Sequence, residues 1–265
     1  MKEKLQPINQ FCSSRAGIVT GANNYFILNK DNVDFYGLND YAKPIIQKGV
    51  LLSSLINFEN EQFNELIEKQ IPCYIIDLNK AKIKKKSKIN NYLQHGVSQK
   101  IDKRYKTQIR DNWYEIPNIK EYAPALFFKR CHNTPKFVLN HAKVLATDSA
   151  YLVTPKEGID INSLVLSFYN SLTLVFSELN GRFYGGGVLE LTPNEFKELP
   201  LPYLKFSKQE FRHYSKLIMD ETDFDYAVQE LDNFVLRKAF PSITEQEFQM
   251  LKAIRLKLIS RRKRL

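Results

Sequence analysis

The sequence predicts an α+β fold, in which residues 1–205 form a mixed, twisted β-sheet domain and residues 206–265 form a C-terminal helical segment. Runs rich in β-branched and aromatic residues, such as "CYIIDL", "PKFVLN" and "AYLVTP", lie before residue 205 and are typical of buried strands. After residue 205 the pattern changes to amphipathic stretches such as "TEQEFQMLKAIRLKL", which indicate helices. The chain has 265 residues, 43% of them hydrophobic, which suffices for a sizeable core.

The first half of the chain predicts one hairpin, one helix and several strands. The stretch "RAGIVTGANNYFIL" predicts a hairpin that turns at Gly21 and continues as a strand over residues 25–28. Residues 57–70 place Phe58, Phe63 and Leu66 at helical spacing beside acidic residues. The runs "CYIIDL", "DNWYEIP", "APALFF", "PKFVLN" and "AYLVTP" are then predicted as strands.

The second half predicts longer helices. The stretch "DINSLVLSFYNSLTLVFSELNG" begins with a capping residue at Asp160 or Asn162 and ends at Gly181, which predicts one helix. In the C-terminal segment, Ser242 or Thr244 is the expected N-cap of the last helix. Leu251, Ile254, Leu258 and Ile259 repeat at helical spacing and form the expected apolar face of this helix. We favour a role for this face in closing the core of the domain over the alternative, docking of a methyltransferase partner.

The net charge of +10 is concentrated in two segments. The first segment, from Lys80 to Arg110, contains eleven Lys or Arg residues and a single acid, Asp102. Such segregation is typical of proteins that bind polyanions, although a solvated loop and a frayed tail would have the same composition. The second segment has no acidic residue and contains Lys252, Arg255, Lys257, Arg261, Arg262, Lys263 and Arg264.

Several classes of function lack their sequence signals. The three cysteines, Cys12, Cys73 and Cys131, match neither a disulfide framework nor a zinc cluster, which favours reduced thiols and a cytoplasmic protein. No apolar run is long enough for a membrane span, and the first ten residues do not resemble a secretory signal. Phosphate-loop, HExxH and GxSxG motifs are absent from the sequence, so we predict a binding protein with no catalytic residue, metal or cofactor of its own.

Four stretches carry a family resemblance when they are taken in order: "RAGIVTGANNYFIL", "YLQHGVSQKIDKRYKTQIRDNWYEIP", "KRCHNTPKFVLNHAKVLATDSAYLV" and "GRFYGGGVLELTPNEFKELPLP". Together they resemble the C-terminal target-recognition half of N6-adenine DNA methyltransferases, including that of fused restriction-modification enzymes. The resemblance covers roughly residues 8–204. It implies sequence-specific recognition of double-stranded DNA.

The resemblance also implies a division of labour. The sequence has no Pro-Pro pair and therefore lacks the (N/D/S)PP(Y/F) motif with which the family holds a flipped adenine. S-adenosylmethionine binding and methyl transfer are therefore expected in a partner adenine methyltransferase subunit or in an N-terminal catalytic domain. We expect the chain to be either a separate specificity subunit or a part of a longer adenine-specific enzyme.

The candidate DNA contacts fall in the same four stretches. In the second stretch, basic residues alternate with aromatics, so phosphate contacts, guanine readout and stacking are all predicted, although Trp113 is equally a candidate core residue; the residues are Lys103, Arg104, Tyr105, Lys106, Arg110 and Trp113. In the first stretch, Thr20, Asn23 and Asn24 lie at the predicted turn, where they either cap the backbone, which we favour, or contact a base edge. Arg15, just before them, is a further candidate contact.

Two further groups complete the candidate set. Residues near the predicted strand ends are expected to contact phosphates, and they are Lys129, Arg130, Lys136 and Asn140. The glycine triplet either brings backbone N–H groups close to DNA or makes a tight turn between a helix and a strand; the residues assigned to this approach are Arg182, Tyr184, Gly185 and Gly186. Two other functions stay open: a DNA-cleaving restriction subunit with an unrecognised nuclease site, and an RNA-binding or inhibitory subunit.

Overall fold

The computed structural model describes residues 5–84, 87–219 and 224–263, and its mixture of helices and sheets confirms the predicted α+β fold. Within these ranges the strands, in chain order, are β1 (Gln6–Pro7), β2 (Cys12–Ala16), β3 (Ile27–Leu28), β4 (Ala42–Ile46), β5 (Asn57–Phe58), β6 (Tyr74–Ile76), β7 (Ala125–Phe128), β8 (Arg130–Cys131), β9 (Lys136–Asn140), β10 (Leu145–Ala146), β11 (Ala150–Pro155), β12 (Arg182–Tyr184), β13 (Val188–Glu190) and β14 (Pro200–Leu201).

Helices occur in both halves of the chain. In order they are α1 (Asn23–Phe26), α2 (Lys30–Phe35), α3 (Asn60–Glu68), α4 (Lys88–Ser98), α5 (Tyr105–Gln108), α6 (Ile161–Phe168), α7 (Ser171–Asn180), α8 (Pro193–Lys197), α9 (Lys208–Ile218), α10 (Phe224–Leu231), α11 (Arg237–Ala239) and α12 (Glu245–Lys263). A π-helical turn over Asp232–Leu236 joins α10 to α11. Short 3-10 turns cover Ile8–Gln10, Asn39–Tyr41 and Gly49–Leu51.

The central element is a five-stranded sheet with the order β2-β11-β7-β9-β5, antiparallel except for the β5–β9 pair. Side chains alternate between its two faces, as strand geometry requires. Phe127 and Phe137 pack on one face with helix α6, whereas Leu126 and Val138 pack on the other face with helix α3. Because both faces are covered, the inner strands β7, β9 and β11 are mostly apolar.

The pairing register brings several strand ends to one end of this sheet. Ala16, the last residue of β2, pairs with Tyr151 of β11, and Phe128, the last residue of β7, pairs with both Ala150 and Lys136. Strands β2 and β7 therefore finish where β9 and β11 begin. We refer to this end of the five-stranded sheet as the loop end.

Smaller sheets surround the central one. A four-stranded sheet has the order β10-β4-β6-β3, and its core includes the stacked rings of Tyr25 and Tyr92, whose centroids are 4.5 Å apart. A three-stranded antiparallel sheet, β12-β13-β8, continues from β7 at the loop end. Strands β1 and β14 form a fourth, two-stranded pair.

The predicted N-terminal hairpin is wrong. Strand β2 pairs with β11 and strand β3 with β6, so the two segments that flank Gly21 belong to different sheets, with helix α1 between them. The stretch "DNWYEIP" forms turns rather than a strand. Helix α4, which Ser87 caps by accepting a hydrogen bond from the Asn90 amide, lies in a stretch that the sequence analysis left without a helix.

Other predicted elements are confirmed, among them helix α3 and strands β6, β7, β9 and β11. The helix predicted over residues 160–181 is two helices, because Asn170 interrupts it. Asp160 caps α6 by accepting from the Ser163 amide at 2.8 Å, and Asn170 caps α7 by accepting from the Thr173 amide at 3.0 Å.

The C-terminal segment is helical, as predicted, and Thr244 caps α12 through a reciprocal pair of hydrogen bonds with Glu247. The apolar face of α12 does not close the core, which was the favoured prediction, because Leu251, Ile254, Leu258 and Ile259 are all at least partly exposed. Docking of a partner on this face stays a prediction. The buried residues of the helix are instead Phe248, Arg255 and Arg262, spaced seven residues apart. No helix within the described ranges is long and apolar enough to cross a bilayer.

Candidate nucleic-acid interface

The turn after β2 lies against the segment that contains α5. The Nη2 atom of Arg110 donates to the carbonyl oxygen of Thr20 at 2.6 Å, and its guanidinium lies 5.6 Å from the centre of the Phe26 ring. Gly21 has a φ of +77°, and a Cβ atom there would lie 2.5 Å from Cβ of Lys106. Two motifs that are distant in sequence are therefore joined at the loop end.

The segment 103–110 presents most of its basic side chains to solvent. Lys103, Arg104 and Lys106 are exposed, and so are the Tyr105 ring, at 71%, and Ile109. Cations beside an exposed aromatic ring are suited to phosphate contacts and base stacking. This segment retains the predicted contacts Lys103, Arg104, Tyr105 and Lys106.

Arg110 and Trp113 instead stabilise the fold around this segment. Besides the Thr20 carbonyl, Arg110 donates to the Trp113 carbonyl at 3.4 Å, and its burial lowers the pKa of the guanidinium. The Trp113 ring is half-buried and lies 5.6 Å from the Tyr25 ring. The core alternative for Trp113 therefore describes its position, and the predicted guanine contact of Arg110 is corrected because its N–H groups bond to internal carbonyls.

The polar residues of the turn divide in the same way. Thr20 is fully buried; its Oγ1 accepts from the Ala22 amide at 3.1 Å and lies 2.5 Å from Oδ1 of Asn23. The prediction of a base contact by Thr20 is therefore wrong, and the local capping role holds for Thr20 and Asn23. Asn24 is exposed. Arg15, near the end of β2, is also exposed and donates from Nη2 to the Glu121 carbonyl at 3.1 Å.

A second group of candidates lies on the three-stranded sheet. Arg182 of β12 and Arg130 of β8 both stand opposite Glu190 of β13 in the register. The Nε atom of Arg130 donates to Glu190 at 2.9 Å, and its guanidinium lies 5.6 Å from the centre of the Tyr184 ring. The side chain of Arg130 is nevertheless 62% exposed, so this face offers a cation next to an exposed aromatic ring.

Arg182 has its own carboxylate partner, since its Nε donates to Oε1 of Glu195 at 2.8 Å. Burial opposes ionisation of Glu195, but hydrogen bonds from Thr192 and Arg182 outweigh it and lower the pKa of the carboxyl. The bond to Glu195 raises the pKa of Arg182. Both arginines on this sheet thus have a carboxylate partner, Glu190 or Glu195, that the sequence pattern did not predict.

The candidates near the strand ends have different environments. Lys129 is half-buried, and Lys136 donates from Nζ to the Leu52 carbonyl at 2.6 Å, beside a cavity of about 420 Å³ that Arg130 and His132 also line. The phosphate contact predicted for Asn140 is wrong. Its side chain is buried and its amide bonds to the backbone of residues 123 and 144.

The glycine triplet forms the turn of the β12–β13 hairpin, rather than a connection between a helix and a strand. Gly186 and Gly187 have φ values of +78° and +73°, which favour glycine. A Cβ atom at Gly185 or Gly186 would meet nothing within 4 Å, so this turn is open to an approaching ligand. Gly187 is different, since a Cβ atom there would lie 3.1 Å from Cα of Lys263.

The basic C-terminal segment contains two buried residues. Arg255 pairs with Asp225, and Arg262 pairs with Glu178, so neither is a free cation. Lys257, Arg261 and Lys263 are exposed. Lys85, Lys86 and Arg264, which also contribute to the two basic segments, lie outside the described residues.

Two kinds of reactive group were candidates outside the interface: metal-binding clusters and free thiols. No group of three or more His, Cys, Asp or Glu residues there is placed to hold a metal ion. Burial raises the pKa of Cys12 to about 12 and that of Cys73 to about 11, which disfavours the reactive thiolate form.

Comparison with known protein families identifies the class to which this α+β fold belongs. Residues 1–236 match the model of the C-terminal domain of the type II methyltransferase M.Eco57I, and the chain belongs to that family. It is 25% identical over 251 residues to the type II methyltransferase M.AccI of Acinetobacter calcoaceticus, a match that covers 89% of this chain and 45% of that protein. The resemblance to a methyltransferase C-terminal domain is confirmed.

Solved structures share the fold. The type IIG restriction endonuclease BpuSI superposes with a TM-score of 0.57 at 13% identity, over 98% of this chain and 32% of that one. The type IIL restriction-modification enzyme MmeI, solved in complex with DNA, superposes with a TM-score of 0.54 at 11% identity, over 98% of this chain and 37% of that one. The chain thus spans less than half the length of each of these relatives.

Proposed function

We propose that this chain recognises a specific sequence in double-stranded DNA, as the target-recognition part of an N6-adenine DNA methyltransferase of a restriction-modification system. In this proposal, S-adenosylmethionine binding and methyl transfer are carried out by another domain or subunit. The family membership supports a restriction-modification role, and the likeness to MmeI, a structure in complex with DNA, is consistent with DNA as the ligand.

One observation carries the proposal: two groups of exposed cations and aromatics lie at the same end of the central sheet. Segment 103–110 is tied there through Thr20, and the three-stranded sheet continues from the end of β7. Each group has a solvent-facing tyrosine near an exposed cation: Tyr105 follows Arg104 in the chain, and the ring of Tyr184 lies under the guanidinium of Arg130. When exposed cations at one end of a protein neutralise DNA phosphates, counterions condensed on the DNA are released, which favours binding.

The arrangement also offers groups for base readout. Guanidinium groups that are fixed by a carboxylate, such as those of Arg130 and Arg182, are pre-oriented for contacts to guanine O6 and N7. Asn24 is an exposed amide of the kind that pairs with adenine. A duplex held at the loop end would leave the target adenine to be extruded toward the catalytic domain.

The test is a set of binding isotherms with duplex DNA over a range of salt concentrations. Replacement of both Arg104 and Lys106 by Ala should weaken binding and reduce the slope of log K against log salt by about 2, because each phosphate contact contributes about 1. The matched control replaces Lys208 and Lys216, two exposed lysines of α9, by Ala and should leave the slope unchanged. Equal effects of the two double variants would contradict the proposed surface.

Two further measurements separate the alternatives. Nucleoside analysis of DNA methylated by the enzyme that contains this chain should detect N6-methyladenine, and methylcytosine would contradict the adenine assignment. Competition between duplex DNA and structured RNA should favour the duplex. Cleavage of plasmid DNA by the chain alone with Mg²⁺ would support the nuclease alternative instead.

A further inference from the structure

Helix α12 lies beyond residue 236, where the family match ends, and it packs along helix α7. Its last turn reaches the loop end, where Lys263 donates from Nζ to Oδ1 of Asn133 at 2.7 Å. The same turn lies against the glycine hairpin, since the Arg262 carbonyl oxygen would be 3.3 Å from a Cβ atom at position 187. The helix therefore contacts two loops that belong to the candidate interface.

Arg262 makes the decisive contacts in this turn. Its side chain is fully buried and forms a two-pronged ion pair with Glu178 of α7, with Nε and Nη2 at 2.9 and 2.8 Å from the two carboxylate oxygens. The Nη1 atom donates to the carbonyl oxygens of His132, at 2.9 Å, and of Gly187, and Nη2 also donates to that of Asn133 at 3.4 Å. Each guanidinium nitrogen thus has at least one acceptor.

These three carbonyls belong to the two loops that flank the candidate contacts. His132 and Asn133 follow Arg130 in the connection from β8 to β9, and Gly187 follows Tyr184 in the hairpin turn. One side chain therefore bonds to both loops, beyond the point where the β8–β13 pairing holds their strands together. Gly187 is suited to this contact because its φ of +73° and its missing side chain leave room for the helix backbone.

The ion pair between Arg262 and Glu178 is better explained by the position it gives to the two loops than by a gain in folding stability. A buried ion pair pays for the removal of both charges from water, and an apolar pair of similar volume often stabilises a fold equally well. Only a guanidinium, however, offers five N–H donors in one plane and can bind a carboxylate and several carbonyls together. Lysine in place of Arg262 would lose this fork.

We infer that Arg262 is a positioning residue for DNA recognition: it holds the 131–134 loop and the 185–187 turn in the arrangement that presents Arg130 and Tyr184 to the duplex. The inference rests on the proposed function. Arg262 itself is buried, so in this inference it acts through the loops to which it is hydrogen-bonded.

The experiment compares two buried arginines on the same face of α12. Arg262→Met is combined with Glu178→Gln, so that no unpaired carboxylate stays buried. Arg255→Met is the control, because Arg255 is also buried and ion-paired, but to Asp225 of α10 and near the Phe224 ring, away from both loops. The full chain is used, with thermal unfolding, duplex binding and amide hydrogen exchange as readouts.

We expect the Arg262 variant to bind its selected duplex about tenfold more weakly, to discriminate less against random duplexes, and to exchange amide hydrogens faster in residues 131–134 and 185–187. The Arg255 variant should lose thermal stability but keep its affinity within about twofold. Unchanged affinity and exchange in the Arg262 variant, with normal binding by the original chain, would overturn this inference and leave the proposed function standing.

A second variant approaches the same contact from the hairpin. Gly187→Ala adds a methyl group against the backbone of Lys263 and should also weaken duplex binding. It keeps the inference testable if the double variant does not fold. Gly158→Ala is the matched control, because Gly158 also has a positive φ, of +76°, a Cβ atom there meets nothing within 4 Å, and it lies in the turn before α6, outside the candidate interface. Equal affinities of the two glycine variants would contradict the inference, and failure of the original chain to bind any duplex would overturn both this inference and the proposed function.

Discussion

The guanidinium of Arg110 and the carbonyl oxygen of Thr20 are joined by a 2.6 Å hydrogen bond between residues that are 90 positions apart. This bond attaches the turn after β2 to the segment that carries Arg104 and Lys106. It also explains why two neighbouring arginines in one basic stretch have different roles. Arg104 is exposed, whereas Arg110 is half-buried and bonds to the backbone.

We therefore predict that substitution of Arg110 lowers folding stability, whereas substitution of Arg104 lowers DNA affinity. Arg110→Met should lower the free energy of unfolding by about 2 kcal/mol, because it removes charge-assisted hydrogen bonds to partly buried carbonyls. Arg104→Ala should change it by less than about 0.5 kcal/mol and should instead weaken duplex binding. Urea unfolding measures the first quantity and fluorescence anisotropy the second. A larger stability loss for Arg104→Ala would contradict this division.

The three glycines of the hairpin turn give a graded prediction. Gly185→Ala should leave stability almost unchanged, since its φ is not positive and its surroundings are open. Gly186→Ala should cost about 1 kcal/mol for a left-handed backbone, and Gly187→Ala should cost more because the added carbon also meets α12. Chemical unfolding of the three variants gives this order. A result in which Gly186→Ala is the most destabilising would show that contact with α12 is unimportant.

Glu190 lies between two arginines in the register of the candidate interface, and its carboxylate pairs with Arg130. We predict that Glu190→Gln increases the affinity for random duplexes and steepens the salt dependence, because Arg130 then faces phosphate without an opposing carboxylate. Discrimination between the selected and random duplexes should fall at the same time. Glu198→Gln, an exposed acid that bonds to Asn9, is the control. Unchanged binding to random duplexes would place Glu190 outside the interface.

The sequence predicted the buried inner strands of the central sheet correctly, because their composition is a local signal, whereas it predicted "DNWYEIP" as a strand wrongly. Strands β9 and β11 have apolar side chains on both faces, which is a signal within a few residues. The hairpin at Gly21 was wrong for a different reason: β2 pairs with β11 and β3 with β6, and these partners are distant in sequence. Pairing between distant strands leaves no local signal in a single sequence.

In the candidate site, too, features with a local sequence signal could be predicted, and features that depend on distant partners could not. Exposure of Lys103, Arg104 and Tyr105 follows from a polar stretch with turn residues and was predictable. The burial of Arg262 was not, because an arginine near a chain end is ordinarily solvated and its partner Glu178 lies on another helix. A spacing of seven residues from Phe248 through Arg255 to Arg262 was the available signal, since every second turn of a helix presents the same face.

The π-helical turn between α10 and α11 contains a buried acid, Asp232, whose Oδ1 accepts from the Ser171 amide at 2.7 Å. Burial raises the pKa of this carboxyl to about 6, although the hydrogen bonds from Ser171 and the charge of Arg255 oppose the shift. Asp225 and Lys252 also line the small cavity around it. Because the pKa is raised above its unfolded value of 3.8, the folded state binds the proton more tightly.

Stability contributed by this group should therefore fall as the pH rises from about 4 through about 6, since the folded state must then ionise a buried carboxyl. Asp232→Asn keeps an oxygen for the Ser171 amide and does not titrate. Relative to the original chain, the variant should gain up to about 3 kcal/mol above pH 6 and nearly nothing at pH 4, at about 1.4 kcal/mol per pKa unit. Urea unfolding of both chains across this range measures the difference, and a difference that is constant with pH would mean that Asp232 is ionised throughout.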